Sequence, residues 1–223
     1  MCVILGGGGH AQVLLECLRL TGIAKPVAIL DPDSRLAGQR VMDVPVRGGD
    51  DLLPTLRREG VRFFVAGVGG VGDNSARRLA FERGLAAGME PLTLCHPSVI
   101  CSPSAIVQAG SVLLAGAVVN TAARIGMNVI VNTGAIVEHH CEIQNHVHLA
   151  SGVCLASSVR VEEEAHIGIG AVVRQGLVIG RKAIVGAGAV VVKAVAAGTC
   201  VVGVPAELHP RHGRRAGKGT SRG

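Results

Sequence analysis

The chain has 223 residues with no Trp, no Tyr, three Phe and 32 Gly, so its core must be built from small, closely stacked aliphatic layers rather than aromatic packing. Of the net charge of +6, five charges come from Arg211, Arg214, Arg215, Lys218 and Arg222; the body that remains, near +1, is too weakly basic for a phosphate-tracking nucleic-acid surface. No apolar run reaches bilayer length, and seven cysteines without a CxxC pair exclude a disulfide framework and fit a reducing cytoplasm.

The opening "MCVILGGGGHAQ" lacks the basic leader and cleavage pattern of a signal peptide and reads as a first β-strand, "CVIL". "AQVLLECLRLTG" has helical apolar spacing with Gly22 as a stop. "PVAILD" is a second strand ending in acid, "DDLLPTLRREG" a short helix, "RFFVAGV" a third strand, and "NSARRLAFERGLAAG" a helix that Asn74 is placed to cap. Alternation of this kind predicts a small parallel βαβαβ sheet over residues 1–96.

Within it, "GGGGHA" (Gly6 to Ala11) lies between strand and helix and matches G-x-G-x-x-A, with Asp31 ending the next strand. Backbone N–H groups and the helix N-terminus there can cradle a phosphate; a tight structural turn explains the glycines equally well. His10 is unusual in a dinucleotide loop. A second glycine-rich turn, "GVGGVGDN" (Gly67 to Asn74), follows the third strand on the same sheet edge, and two such loops favour a nucleotide-sized ligand.

The period changes after residue 96. Every sixth position from Val107 to Val191 is Val, Ile or Leu, fifteen times without a slip. With aliphatics at a third of positions, chance would give this on the order of 10⁻⁷ of the time. Four residues after each anchor the side chain is mostly Ala, Val, Ser or Cys, a second inward slot. Period six predicts a parallel β-helix of hexapeptide repeats over residues 97–207, each short strand stacking at about 4.8 Å per coil. Gly126, Gly168, Gly180 and Gly186 directly follow an anchor, where tight corners are expected to use their backbone freedom. Residues 208–223 read as a basic, disordered tail.

"ILGGGGHA", "ILDPD", "VGDNSARR", "HPSVICSPSA", "VNTGAIVEHHC" and "VVGVPA" together resemble the sialic-acid O-acetyltransferase and nucleotide-amino-sugar N-acetyltransferase family, in order over about residues 1–207. The resemblance implies an α/β, Rossmann-like domain holding a nucleotide-sugar, then a left-handed β-helix holding acetyl-CoA, with active sites between subunits of a cytoplasmic homotrimer and no metal or nucleic acid. Residue by residue, it implies nucleotide-sugar contacts from Gly8, Gly9, His10, Asp31, Asp33, Gly72 and Asn74. His139 matches the catalytic base, and His148 a histidine reaching the thioester of acetyl-CoA. Ser157, Ile169 and Ala187 fall where the family lines its acetyl-CoA groove. The family has Asp or Glu directly after the base, where this chain has His140, and Gly where it has Ser157. A neutral His140 can orient His139 but supplies no negative charge; Glu138, Glu142 or an acid from another subunit is the expected substitute.

The implied reaction is transfer of acetyl from acetyl-CoA to an amine of a nucleotide-linked sugar, with imidazole as general base and no acyl-enzyme, since binding both substrates at a seam supplies proximity. O-acetylation of sialic acid or a related sugar is the alternative. Cys141 occupies a small inward slot and reads as packing rather than nucleophile. Four histidines within "EHHCEIQNHVH" (Glu138 to His148) also raise a zinc-dependent β-helix carbonic anhydrase, but only His96 precedes them in the repeat region. His146 and His166 read as surface or interface polar residues. A non-enzymatic scaffold is disfavoured by the glycine loops and by the pairing of His139 with His148.

Overall fold

The computed structural model describes residues 1–210; most of the tail expected over 208–223 lies outside the described residues. The N-terminal part is a twisted sheet of six strands in the order β3-β4-β2-β1-β5-β6. β1 (Cys2–Leu5), β2 (Pro26–Leu30), β4 (Val44–Gly48), β5 (Phe63–Ala66) and β6 (Glu90–Pro91) run parallel. α1 (Gly9–Thr21), α2 (Leu53–Arg58) and α3 (Ser75–Ala86) make the crossovers. β3 (Arg40–Val41), antiparallel to β4, escapes the sequence reading. Its two-residue turn is Met42-Asp43, both at positive φ (46° and 67°), without the Asn-Gly or Asp-Gly pair that advertises such a hairpin.

From Leu94–Cys95 onward the chain winds into a left-handed parallel β-helix whose two-residue strands stack into three sheets of eight, six and five strands. Strand partners are 18 residues apart, as Val112 with Ile130 and Val118 with Ile136, so each coil holds three hexapeptides. The anchors from Leu113 to Val191 are buried, with Ala117, Ala135, Cys141, Ala165 and Ala189 in the second inward slot. At every sixth position from Gly110 to Gly188 the backbone φ is positive, and these are the true corners: seven are glycine, and the others include Asn128, His140, His146, Ser158 and Glu164. Gly126, Gly168, Gly180 and Gly186 are therefore not corners, as the spacing had suggested. None has positive φ; instead a Cβ at Gly168 would sit 2.6 Å from the amide nitrogen of Ala187, and one at Gly180 2.5 Å from that of Ala197. They are glycine because the next coil passes too close for a side chain.

The outward rows give the three faces their characters. On the first, Leu94, Val112 and Ile130 bury themselves against Leu14, Leu15 and Leu18 of α1, so the N-terminal domain covers this face. The second carries an apolar row of Ile100, Val118, Ile136, Cys154, Val172 and Val190, all at least partly exposed. The third carries Arg124, Glu142 and Arg160 in register. No helix among the described residues is long and apolar enough to cross a membrane.

Candidate active site

The row that begins Leu94, Val112, Ile130 on the covered face continues with His148, His166 and Ile184. α1 lies over its apolar part, and the glycine loops lie over its histidines. Between them is a cleft of about 630 Å³ lined by Gly9, His10, Gly72, His148, Ile169 and Ala187, with Gly70, Asn132, Ser151 and His166 among its other walls. Six of the residues expected at substrate or acetyl-CoA thus share one cavity. Asn132, Ser151 and His166 were missed; Ser151, Ile169 and Ala187 repeat at the 18-residue coil length, which was the available signal.

His148 is 6 % exposed. Its Nδ1 lies 3.1 Å from the Gly70 carbonyl, and its Nε2 lies 3.3 Å from Asn132 Nδ2. A carbonyl can only accept, so Nδ1 carries the proton and Nε2 is the acceptor. His148 is stacked edge-on against His166, ring centroids 5.0 Å apart. His146 and His166 are buried rather than surface residues. His146 Nδ1 is 2.9 Å from Asn128 Nδ2, and its ring packs on Phe81.

Beneath these rings lies Arg77, fully buried and unanticipated. Its guanidinium donates to the carbonyls of Gly69 at 3.0 Å, His146 at 2.6 Å and Val147 at 3.1 Å, tying α3 and the second glycine loop to the β-helix. Burial lowers its pKa to about 9, so it remains a cation at neutral pH. Burial first, and the Arg77 charge second, push His10 and His166 down to about 4 and His148 to about 2. These imidazoles are neutral in the folded protein. Their unfolded counterparts titrate near 6.5, so the unfolded chain binds more protons below that value and stability falls as pH drops from 6.5 toward 4. We expect Tm to decline over this range, and His166→Leu to flatten the decline; a Tm independent of pH between 7 and 4.5 would contradict the burial of these rings.

Asn74, expected as helix cap and sugar ligand, stands before α3 and is not among the residues lining the cleft. It is 1 % exposed and makes no cap bond; its Nδ2 donates to the carbonyls of Glu164 and Ala165, at 3.1 and 3.0 Å. It is a clasp between the domains.

Gly8 and Gly9 open α1, and a Cβ at either would meet nothing within 4 Å. Their own chain does not require glycine there, unlike Gly6, which has φ +109° and no room beside Val68. Asp31 already holds the loop: its Oδ2 accepts from Gly7 N at 2.6 Å and its Oδ1 from Asp33 N at 2.8 Å. Asp33 caps the short helix Ser34–Leu36 and pairs with Arg35, whose hydrogen bonds hold its carboxyl below the usual range. Asp31, with Ser34, Gly49, Asp51 and Pro54, lines a second cleft of about 760 Å³ beside the loop.

His139 and Ser157 are not in the cleft. They stack on the other edge of the apolar face, where Ser158 N donates to His139 O at 3.0 Å. His139 is exposed, and its Nδ1 lies 2.9 Å from His140 Nδ1. Hence one chain separates His139 from His148, and Ser157 from Ile169 and Ala187. Cys141 is a packing residue: burial pushes its thiol up to about 11, and its Sγ donates to Ala156 O. Among the described residues no group of three or more His, Cys, Asp or Glu is arranged to hold a metal ion.

Residues 2–83 match the family described as the PglD N-terminal domain. A comparison with curated proteins returns no match. Among solved structures, the perosamine N-acetyltransferase PerB from Caulobacter crescentus, in complex with CoA and GDP-perosamine, is 38% identical with a TM-score of 0.87, covering 93% of this chain and 96% of its own. The acetyltransferase domain of PglB from Neisseria gonorrhoeae, in complex with acetyl coenzyme A, is 36% identical with a TM-score of 0.84, covering 93% and 98%. WeeI from Acinetobacter baumannii, at 24% identity, a TM-score of 0.82 and coverage of 94% and 99%, shares the fold. Identity at this level over nearly the whole of both chains shows that the protein belongs to the nucleotide-amino-sugar acetyltransferase family.

Proposed function

We propose that the chain transfers acetyl from acetyl-CoA to the amino group of a nucleotide-linked sugar, residues 1–96 holding the sugar nucleotide and residues 97–207 the acetyl-CoA. The observation that carries this reading is the single cleft in which Gly9, His10 and Gly72 meet His148, Ile169 and Ala187. The nucleoside takes the second cleft, at Asp31. The bound sugar amine attacks the thioester carbonyl carbon and gives a proton to His139 Nε2. Backbone N–H groups, that of Ser157 among them, stabilise the oxyanion. The C–S bond then breaks, releasing CoA thiolate and the amide. His148, whose Nδ1 proton goes to the Gly70 carbonyl and whose unprotonated Nε2 accepts from Asn132, shapes the cleft rather than donating to the thioester oxygen. Location in the cytoplasm is supported by seven free cysteines, two of them, Cys95 and Cys101, exposed.

This chemistry needs a second copy. The apolar row on the second face is flanked on one edge by Ser151, Ile169 and Ala187, and on the other by His139 and Ser157. Three prisms packed with that face toward a common axis set the first edge of each copy beside the second edge of the next. A homotrimer accounts both for the uncovered apolar row and for the separation of His139 from the cleft. Val172→Asp, on an outward position already 42% exposed, is expected to give a monomer that keeps its β-sheet circular dichroism and loses activity. An active monomer would defeat the intersubunit site.

The test of function is an acetyl-CoA assay against UDP-, GDP- and dTDP-4-amino sugars, with free sialic acid as the O-acetylation arm. N-acetylation of one nucleotide sugar is expected; turnover of sialic acid alone would replace this reading by the O-acetyl one.

A further inference from the structure

We propose that His140 is the positioning residue of the reaction, forming with His139 a neutral two-imidazole dyad in place of a histidine–carboxylate pair. This rests on the reading of His139 as the base. The two Nδ1 atoms are 2.9 Å apart, and a contact of that length needs one N–H and one bare nitrogen. For His139 to receive a proton on Nε2, its Nδ1 must bear the hydrogen; His140 then accepts on Nδ1 and carries its own proton on Nε2.

Neither acid expected as substitute does this job. Glu138 Oε2 accepts from Asn120 Nδ2 at 3.0 Å and from the His139 backbone N–H at 3.2 Å, so it steadies the backbone of the corner rather than the ring. Glu142 stands on the charged face in register with Arg124 and Arg160. The coils stacked on the pair present only Thr121, Ala122, Ser157 and Ser158 at this corner, and Cys141 points inward with its thiol pushed up to about 11. Across the proposed seam, the neighbouring copy would add His10 and His148, both neutral through burial.

Two consequences follow from having a neutral acceptor. The His139 imidazolium formed during transfer gains a hydrogen bond but no ion pair, so it lacks the stabilisation that a carboxylate at this position would add. The contact also holds one shared hydrogen, so the two rings must take opposite states at Nδ1, one bearing the proton and the other bare.

The corner makes a clean test possible. His140 has φ +60°, a conformation that glycine adopts at half of these corners and Asn128 at another. His140→Gly therefore removes the acceptor without straining the coil. Asn and Asp place Oδ1 where the His140 Nδ1 stands, one neutral and one charged. With acetyl-CoA and GDP-perosamine as probes, His140→Gly is expected to lower kcat at least about tenfold with the acetyl-CoA KM within about twofold. His140→Asn should recover most of that activity and keep the wild-type acid limb of kcat/KM, and His140→Asp should move that limb up by about one pH unit. Ring ¹H–¹⁵N spectra of the full chain at pH 8, assigned with single variants, should show His139 protonated on Nδ1 and His140 on Nε2, independently of any substrate. Unchanged kcat in His140→Gly, or both rings protonated on Nε2, would overturn the dyad. If His139→Ala is inactive in that case, the base reading stands without it; if His139→Ala is active, the base reading has failed as well.

Discussion

His139→Ala is expected to lower kcat/KM by about 10²–10⁴-fold, the range for loss of a positioned general base. The loss should fall on kcat. His139 lies on the opposite edge of the apolar face from Ile169 and Ala187, so the acetyl-CoA KM of the variant should stay within about twofold. The side chain is exposed and its ring hydrogen-bonds to His140, so folding and oligomeric mass should not change. Near-normal kcat in a correctly assembled variant would remove His139 from the mechanism. A second arm uses mixed oligomers: inactive His139→Ala copies combined with inactive copies carrying a blocked cleft should regain activity, because some seams then join an intact His139 to an intact cleft. No recovery would place the two halves of the site in one chain and contradict the seam.

Arg77→Met is expected to be the most destabilising single change in the domain interface. It leaves the carbonyls of Gly69 and His146 without a donor in a buried setting, while that of Val147 keeps the Ile130 amide, at about 1–3 kcal/mol for each unsatisfied group before relaxation. A total of about 3–5 kcal/mol is the usual scale for breaking a buried charged network, and at this chain length it corresponds to a fall in Tm of roughly 6–20 °C. Arg77→Lys should recover only part, since one ammonium cannot reach three carbonyls with the guanidinium's planar fork. Removing the charge also lifts one of the causes that hold His10, His148 and His166 down. The acid dependence of Tm should therefore be shallower in Arg77→Met than in the parent. A Tm within about 2 °C of the parent would show that the clasp is dispensable.

Arg77 also marks the limit of what periodicity reveals. The buried positions of α3 are Arg77, Ala80, Phe81 and Gly84, the i, i+3, i+4, i+7 stripe of a helix facing a core, so an arginine stands where an apolar residue belongs. That anomaly was visible in the string, but nothing there indicated three carbonyls waiting for it. Asn74 misled in the opposite way: its position before a helix fits a cap, while its amide reaches backbone ninety residues further on. His166 lies 18 residues beyond His148, so the coil length alone was enough to stack them. Its burial was not readable, because burial of that row depends on which face the N-terminal domain covers. The β3–β4 hairpin stayed hidden because its turn lacks the residues that usually adopt positive φ.

The sequence by itself determined the inside of the molecule. A period of six with a small residue four places later is a statement about inward side chains, which are set by the strand and corner geometry of the coil wherever that coil lies. The alternation of strands and helices with glycine loops at one sheet edge was local in the same sense. Only the tertiary structure decided the outside: which face is covered, which stays apolar and open, and which edge each histidine occupies. Those outcomes depend on contacts between residues tens of positions apart and on the packing of one domain against another. That is why "EHHCEIQNHVH", continuous in sequence, is divided in space, with His139 and His140 on one edge of the apolar face and His148 in the cleft beneath the covering domain.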